Sequence, residues 1–172
     1  MTVVVTGSSC GITQLDVLII NAGTLTPRKP IMEVTVEEWD ETMAVNLRGV
    51  FLCTRAALRL MIPKRYGFIV NMNMSSGAGK RVAPLWGAYT VSKWGVEGFT
   101  RTVAEEVKEF GIKIIAVNPG GTRTAMRMLA YLGEDPMKLK TPEQLADFFV
   151  ALATGKIRCQ TGQSLDYEGI YR

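Results

Sequence analysis

Residues 6–23 read TGSSCGITQLDVLIINAG, and they set two strand ends almost back to back. The run before the first glycine, "TVVVTG" (2–7), is β-branched; "LDVLIINAG" (15–23) is a second apolar run that closes on Asn-Ala-Gly. β-Branched stretches bounded by turn residues read as strands. Only eight residues separate Thr6 from Leu15, whereas parallel strands in one sheet need a crossover of about a dozen residues or more, usually a helix. The two runs are therefore not expected to pair in parallel through that connection.

Outward from this stretch, short apolar runs alternate with long segments of helical period. The runs are Val3 to Thr6, Leu15 to Ile20, Phe68 to Met74, Lys113 to Val117 and, more weakly, Gln163 to Tyr167. Such alternation is the signature of an α/β fold with a parallel sheet. The first long helix is predicted to start at Thr35, whose hydroxyl can cap the backbone while Glu38 reaches back, and to run on to Pro63. A second covers roughly Ala88 to Phe110, with Phe99, Val103, Val107 and Phe110 on one stripe and Gly111 at the C-terminal cap position. A third starts at Thr141, with Pro142 in its first turn and Gln144 completing the cap, and ends near Gly155.

The chain of 172 residues, 47% of them hydrophobic, suits a single domain. Its net charge of +4 is spread along the chain rather than gathered in a basic run, which argues against nucleic acid as a partner. The longest apolar run, near Val17 to Ile20, is far too short to cross a bilayer, and the N-terminus shows no signal-peptide pattern. A cytoplasmic protein without membrane partners is the expectation. Cys10, Cys53 and Cys159 lack metal-ligand spacing and the chain has no histidine, so free thiols and no metal site are expected.

Chemistry concentrates in four places. In "YTVSK", Tyr89 and Lys93 stand four residues apart on one helical face, where an ammonium beside the phenol can lower its pKa from about 10. A phenol so placed can exchange a proton with a substrate oxygen. Thirteen residues earlier stands Ser76, after an apolar strand, with Ser75 as the weaker candidate. Asn46 lies inside the first helix, in "AVNLRG". Finally "NPGGTRT" (118–124) follows the strand "IKIIAV" at its carboxyl end, where open α/β sheets bind ligands.

With these motifs in this order, the chain resembles the short-chain dehydrogenase/reductase family over nearly everything from Leu15 to Tyr167. The resemblance implies a three-layer, Rossmann-like doubly wound parallel sheet and NAD or NADP as cofactor. It implies a hydride-transfer oxidoreductase acting on a carbonyl or secondary alcohol. Tyr89 would then be the acid/base, Ser76 would hold the reacting oxygen, Lys93 would bind the nicotinamide ribose, and Asn46 would hold a water linking the lysine to solvent. Cofactor contacts would come from Gly7, Ser9, Gly11 and Ile12 in the glycine loop, and from Asn21, Ala22 and Gly23. Tyr89, Lys93, Pro119, Gly120, Thr122 and Thr124 would complete them. In the family, the helix holding Gly95 and Gly98 packs on its mate, which implies a homodimer or homotetramer.

The sequence also departs from the family pattern. In T-G-x-x-x-G-x-G, Thr6, Gly7 and Gly11 fit, while Thr13 takes the third glycine position. Between the loop and "LDVLIINAG" the family has a helix, the second and third strands and their helices, together with the residue that chooses NAD or NADP; all are missing from this sequence. The seam falls between Ile12 and Leu15. A stretch omitted between the halves, a true deletion, or an antiparallel hairpin would each account for it. In "VNMNMSSG" (70–77) Asn-Met is doubled, and a two-residue insertion keeps later side chains on their original face. Between Thr124 and Lys140 lies an unusually long loop in which Met126, Met128, Leu129, Tyr131 and Leu132 make an apolar surface. That surface suits an apolar small-molecule carbonyl or alcohol, or equally a segment packed on the core. The seam supports a second reading, a truncated binding or regulatory protein without catalysis.

Overall fold

A computed structural model describes residues 3–5, 14–25, 28–73 and 84–170. Five strands, β1 (Val3–Val5), β2 (Val17–Ile20), β3 (Gly67–Met72), β4 (Ile112–Asn118) and β5 (Ser164–Asp166), form one sheet in the order β1-β2-β3-β4-β5. Every neighbouring pair is parallel. Six helices accompany them: α1 (Val36–Met43), α2 (Gly49–Lys64), α3 (Gly87–Val107), α4 (Ala125–Ala130), α5 (Pro142–Ala153) and α6 (Tyr167–Ile170).

The strands alternate their side chains between two apolar layers, as a period of two requires. Leu18, Ile20, Ile69, Ile112 and Ile114 face α2 and α3, where Met61, Val96, Val103 and Val107 cover them. Val17, Ile19, Phe68, Val70, Ile115 and Val117 face the other way, against Phe148 and Leu152 of α5. Phe148 is fully buried, and burial of such a side chain contributes about 1.5–3 kcal/mol. The result is a three-layer, Rossmann-like α/β sandwich. A complete doubly wound sheet reverses its strand order beside the first strand; here the reversed half is missing and β1 is an edge strand.

The direct pairing of β1 and β2 corrects the expectation from strand spacing. Val3 aligns with Val17 and Val5 with Ile19, in parallel, which rules out the antiparallel hairpin. The ladder is only three residues long, about 10 Å at 3.3 Å per residue. The eleven residues between Val5 and Val17 can span at most about 40 Å. Chain length therefore suffices to return across so short a strand.

The capping boxes form as predicted: Thr35 accepts from the backbone of Glu38, and Thr141 from that of Gln144. The first long helix is not uniform, however. A π-turn, Ala44–Arg48, joins α1 to α2 and carries Asn46 at its centre. The predicted stripe of the second helix holds, with α3 followed by a 3₁₀ turn, Lys108–Phe110, and Gly111 left-handed at φ 70°. The predicted loop 124–140 is also structured. It holds α4 and a 3₁₀ turn, Pro136–Lys138, and its ends are tied by a parallel bridge between Thr122 and Lys140.

Glycine has a steric reason at Gly67, where a Cβ would lie 2.3 Å from Sδ and 2.9 Å from Cβ of Met61. Met61 is fully buried and cannot swing into solvent. Gly67→Ala is therefore expected to lower stability by about 1–3 kcal/mol, read as a shift in the urea midpoint with an unchanged slope. Gly95 likewise serves a contact within the chain, since a Cβ there would lie 2.9 Å from Leu47, while Gly98 faces open space.

Candidate active site

The site forms at the carboxyl ends of β2, β3 and β4, between the π-turn and the first turns of α3. Asn46, wholly buried, donates from Nδ2 to the Thr24 carbonyl at 2.9 Å, and its Oδ1 accepts from the Thr24 amide at 2.8 Å. This reciprocal pair fixes the segment following β2. Nδ2 also donates to the Ser92 hydroxyl at 3.2 Å, and that hydroxyl donates to the Tyr89 carbonyl at 2.7 Å. The π-turn is thus tied to α3 through Ser92. π-Turns within α-helices concentrate at functional sites, and this one brings the buried amide to the strand ends.

Tyr89 and Lys93 are both buried on the inner face of α3. Lys93 Nζ donates to the Met72 carbonyl at the end of β3, at 3.1 Å, and lies 5.7 Å from the centre of the Tyr89 ring. A Cβ built on Gly23 would lie 3.4 Å from Asn46 Oδ1 and 3.9 Å from Lys93 Nζ. Asn46, Lys93 and the "NAG" turn, distant in sequence, therefore meet at one point.

The electrostatics differ from the sequence expectation. Burial pushes the Tyr89 phenol above its ordinary value; Tyr131 adds to the rise, and Arg127 opposes it. The Lys93 ammonium, 5.7 Å from the ring centre and bonded to the Met72 carbonyl, does not offset that rise. Burial instead brings Lys93 itself from 10.5 down to about 8. At neutral pH the pair is a protonated phenol beside a largely protonated amine.

At the end of β4, Gly120 has φ 66°, and its amide donates to Asn118 Oδ1 at 3.0 Å. Thr124 caps α4 by accepting from the Arg127 amide at 3.2 Å. Thr122 is buried, and its Oγ1 has no hydrogen-bond partner among the described residues. Arg123 donates to the carbonyls of Pro136 and Leu139, so it serves the fold of the 124–140 segment. Asn21 and Ala22 are exposed at the end of β2, and Pro119 is half-buried beside Gly120. Gly7, Ser9, Gly11, Ile12, Thr13, Ser75 and Ser76 lie outside the described residues.

The doubled Asn-Met acquires a physical role. Asn71 and Asn73, two apart and both buried, face α3; Asn71 Nδ2 donates to Thr100 Oγ1 at 2.9 Å and Asn73 Nδ2 to Glu97 Oε2 at 2.6 Å. Glu97, one turn beyond Lys93, also accepts from the Ser164 hydroxyl of β5. Sequence reasoning passed over Ser92, although it stands inside "YTVSK" with the i, i+3 spacing that reaches the Tyr89 carbonyl.

A cleft of about 1040 Å³ opens at Trp86, whose ring packs on the buried Tyr89 behind it. Its wall is aromatic: Trp86 lies 5.4 Å from the Tyr89 ring and stacks on Tyr131 at 5.9 Å and 29°. Leu129 and Leu132, 78% and 91% exposed, line it as well. Met126, Leu129, Tyr131 and Leu132 of the 124–140 segment thus line the opening, while Tyr131 also packs on the buried Trp86 cluster.

Cys53 and Cys159 are half-buried free thiols. No helix among the described residues is long and apolar enough to cross a membrane.

Comparison with known proteins agrees with this architecture. The chain is 37% identical over 153 residues to the Escherichia coli oxidoreductase YciK, covering 89% of this chain and 60% of that protein. It is 42% identical over 111 residues to an NADPH-dependent pterin aldehyde reductase of Arabidopsis thaliana, covering 64% of this chain and 45% of the reductase. A Shigella flexneri structure solved in complex with NADP superposes with a TM-score of 0.82 at 35% identity, over 90% of this chain and 64% of that one. The chain thus spans about three-fifths of the length of YciK and of the Shigella flexneri protein. The short chain dehydrogenase profile matches residues 1–134, and by that match, its relatives and its fold the chain belongs to the short-chain dehydrogenase family.

Proposed function

We propose that the chain is an NAD(P)-dependent oxidoreductase that moves a hydride between nicotinamide and a carbonyl or secondary alcohol, with Tyr89 as acid/base. The carrying observation is the meeting of Asn46, Lys93 and Gly23 beside Tyr89 at the strand ends. The residues present suit such a cofactor: Gly23 leaves a cradle that a Cβ would fill, and Thr122 Oγ1 is a buried hydroxyl without a partner among the described residues. Lys93 and Gly23 would hold the nicotinamide ribose side, with Pro119, Gly120, Thr122 and Thr124 along the rest.

Tyr89 keeps its proton at neutral pH because burial raises its pKa. That suits a proton donor to the oxygen of a carbonyl under reduction. Lys93 lies on the proton's route back to the phenol, and Asn46 positions Ser92, next to Lys93 on α3, and the turn after β2. Ser76 would hold the substrate oxygen. The exposed apolar side chains Phe51, Val91 and Trp94 on α2 and α3 support a homodimer or homotetramer, and the aromatic cleft supports an apolar small-molecule substrate.

Titration with NADPH and NADH, read by tryptophan fluorescence, is the test. Saturable quenching by at least one is expected, and binding by neither overturns the reading. The eleven-residue connection from β1 to β2 favours a second reading, a binding protein without turnover. Cofactor binding with no carbonyl reduction across a broad aldehyde and ketone panel would select it.

A further inference from the structure

The cleft at Trp86 is apolar in the main, yet among the described residues it holds one charge that the fold leaves uncancelled. Arg28 lines it, with its guanidinium 5.4 Å over the Trp86 ring and Nη1 donating to the Ala130 carbonyl at 3.1 Å. These contacts orient Arg28 without neutralising it, and no carboxylate pairs with it among the described residues. Its fork has five N–H donors, most of them left available. The other charge on the lining, Glu134, is answered: Arg127 donates to both its oxygens at 2.6 and 2.7 Å while lying 3.6 Å over the Tyr131 ring. Among the described lining residues the uncompensated charge is thus the positive one at Arg28, while Leu25, Leu129 and Leu132 offer apolar surface.

Trp86, Tyr89 and Ala130 form one buried cluster, so the groups that orient Arg28 are those that pack the acid/base tyrosine. We propose that the cleft takes an amphipathic carbonyl substrate whose apolar body lies along Leu25 and Leu129 and whose carboxylate is held by Arg28. This rests on the reading of Tyr89 as the group facing the reacting carbonyl. A guanidinium suits a carboxylate because two parallel N–H bonds match its two oxygens.

The test uses ligands that cannot react: octanoate and 1-octanol, alike in apolar body and different in head, titrated without cofactor and read by tryptophan fluorescence. The native chain is expected to bind octanoate about tenfold more tightly than octanol. Arg28→Met is expected to remove that preference by weakening octanoate alone, and Arg28→Lys to restore part of it. A second measurement needs no variant. Raising salt from about 0.05 M to about 0.5 M should weaken octanoate binding and leave octanol binding unchanged, as screening of a partly exposed charge requires. Equal affinities in the native chain, a preference that survives Arg28→Met in a folded variant, or salt-independent octanoate binding would each overturn the proposal. None of these outcomes bears on cofactor binding, so failure here is distinct from failure of the oxidoreductase reading.

Discussion

Tyr89→Phe is expected to lower kcat by about 10²–10⁴-fold, the usual contribution of a positioned proton donor, while leaving the Kd for NADPH nearly unchanged. The substitution removes one oxygen and keeps the ring, so the contact with Trp86 at 5.4 Å and the packing against Ala130 survive. Ser92 bonds the backbone carbonyl of residue 89 rather than the phenol, so the turn that links α3 to Asn46 is also kept. A fall in kcat with intact cofactor quenching therefore isolates the proton. Unchanged turnover would remove Tyr89 as the donor.

Local signals made much of this fold legible. Thr35 with Glu38 and Thr141 with Gln144 state both helix starts in four residues each, and the structure forms both boxes. The run Lys113 to Val117 is likewise a strand, and its alternation sends Ile114 to one layer and Ile115 and Val117 to the other. Tyr89 and Lys93 could be paired because a helix repeats every 3.6 residues. What stayed hidden depends on distant partners. The π-turn around Asn46 has no local mark; it is stabilised by Thr24, which lies 22 residues away. Arg28 is oriented by Ala130, at a separation of 102 residues. The pKa expectation failed for a related reason, since spacing puts Lys93 beside Tyr89 but says nothing of Met72, which takes the ammonium, or of the burial that raises the phenol.

The β1–β2 junction shows the limit of a rule about connections. Crossovers of a dozen or more residues are the norm because most parallel strands are long and are covered by a helix. A three-residue ladder relaxes that need, and eleven residues suffice. The same short ladder leaves β1 held by a single neighbour at the sheet edge.

Lys93→Met should stabilise the fold while removing activity. Burial lowers the Lys93 pKa from 10.5 to about 8, so at pH 7 the amine is charged in both folded and unfolded chains and the folded state carries the full desolvation cost. That difference corresponds to about 3 kcal/mol, set against about 1 kcal/mol for the lost bond to the Met72 carbonyl. Methionine fills a similar volume without charge, and a net gain of about 2 kcal/mol is expected at pH 7. The sign of the pH dependence follows from proton counts. Between pH 8 and 10.5 the folded native chain has released the Lys93 proton and the unfolded chain still binds it, so native stability rises with pH across that window. The advantage of the variant should accordingly shrink as pH climbs from 8 to 10.5, as urea unfolding at several pH values would record. Turnover should meanwhile fall by about 10²-fold or more. A variant less stable than the native chain by the same amount at every pH would show that Lys93 keeps its ordinary pKa in the fold, as a satisfied ammonium, and would overturn the burial-driven shift.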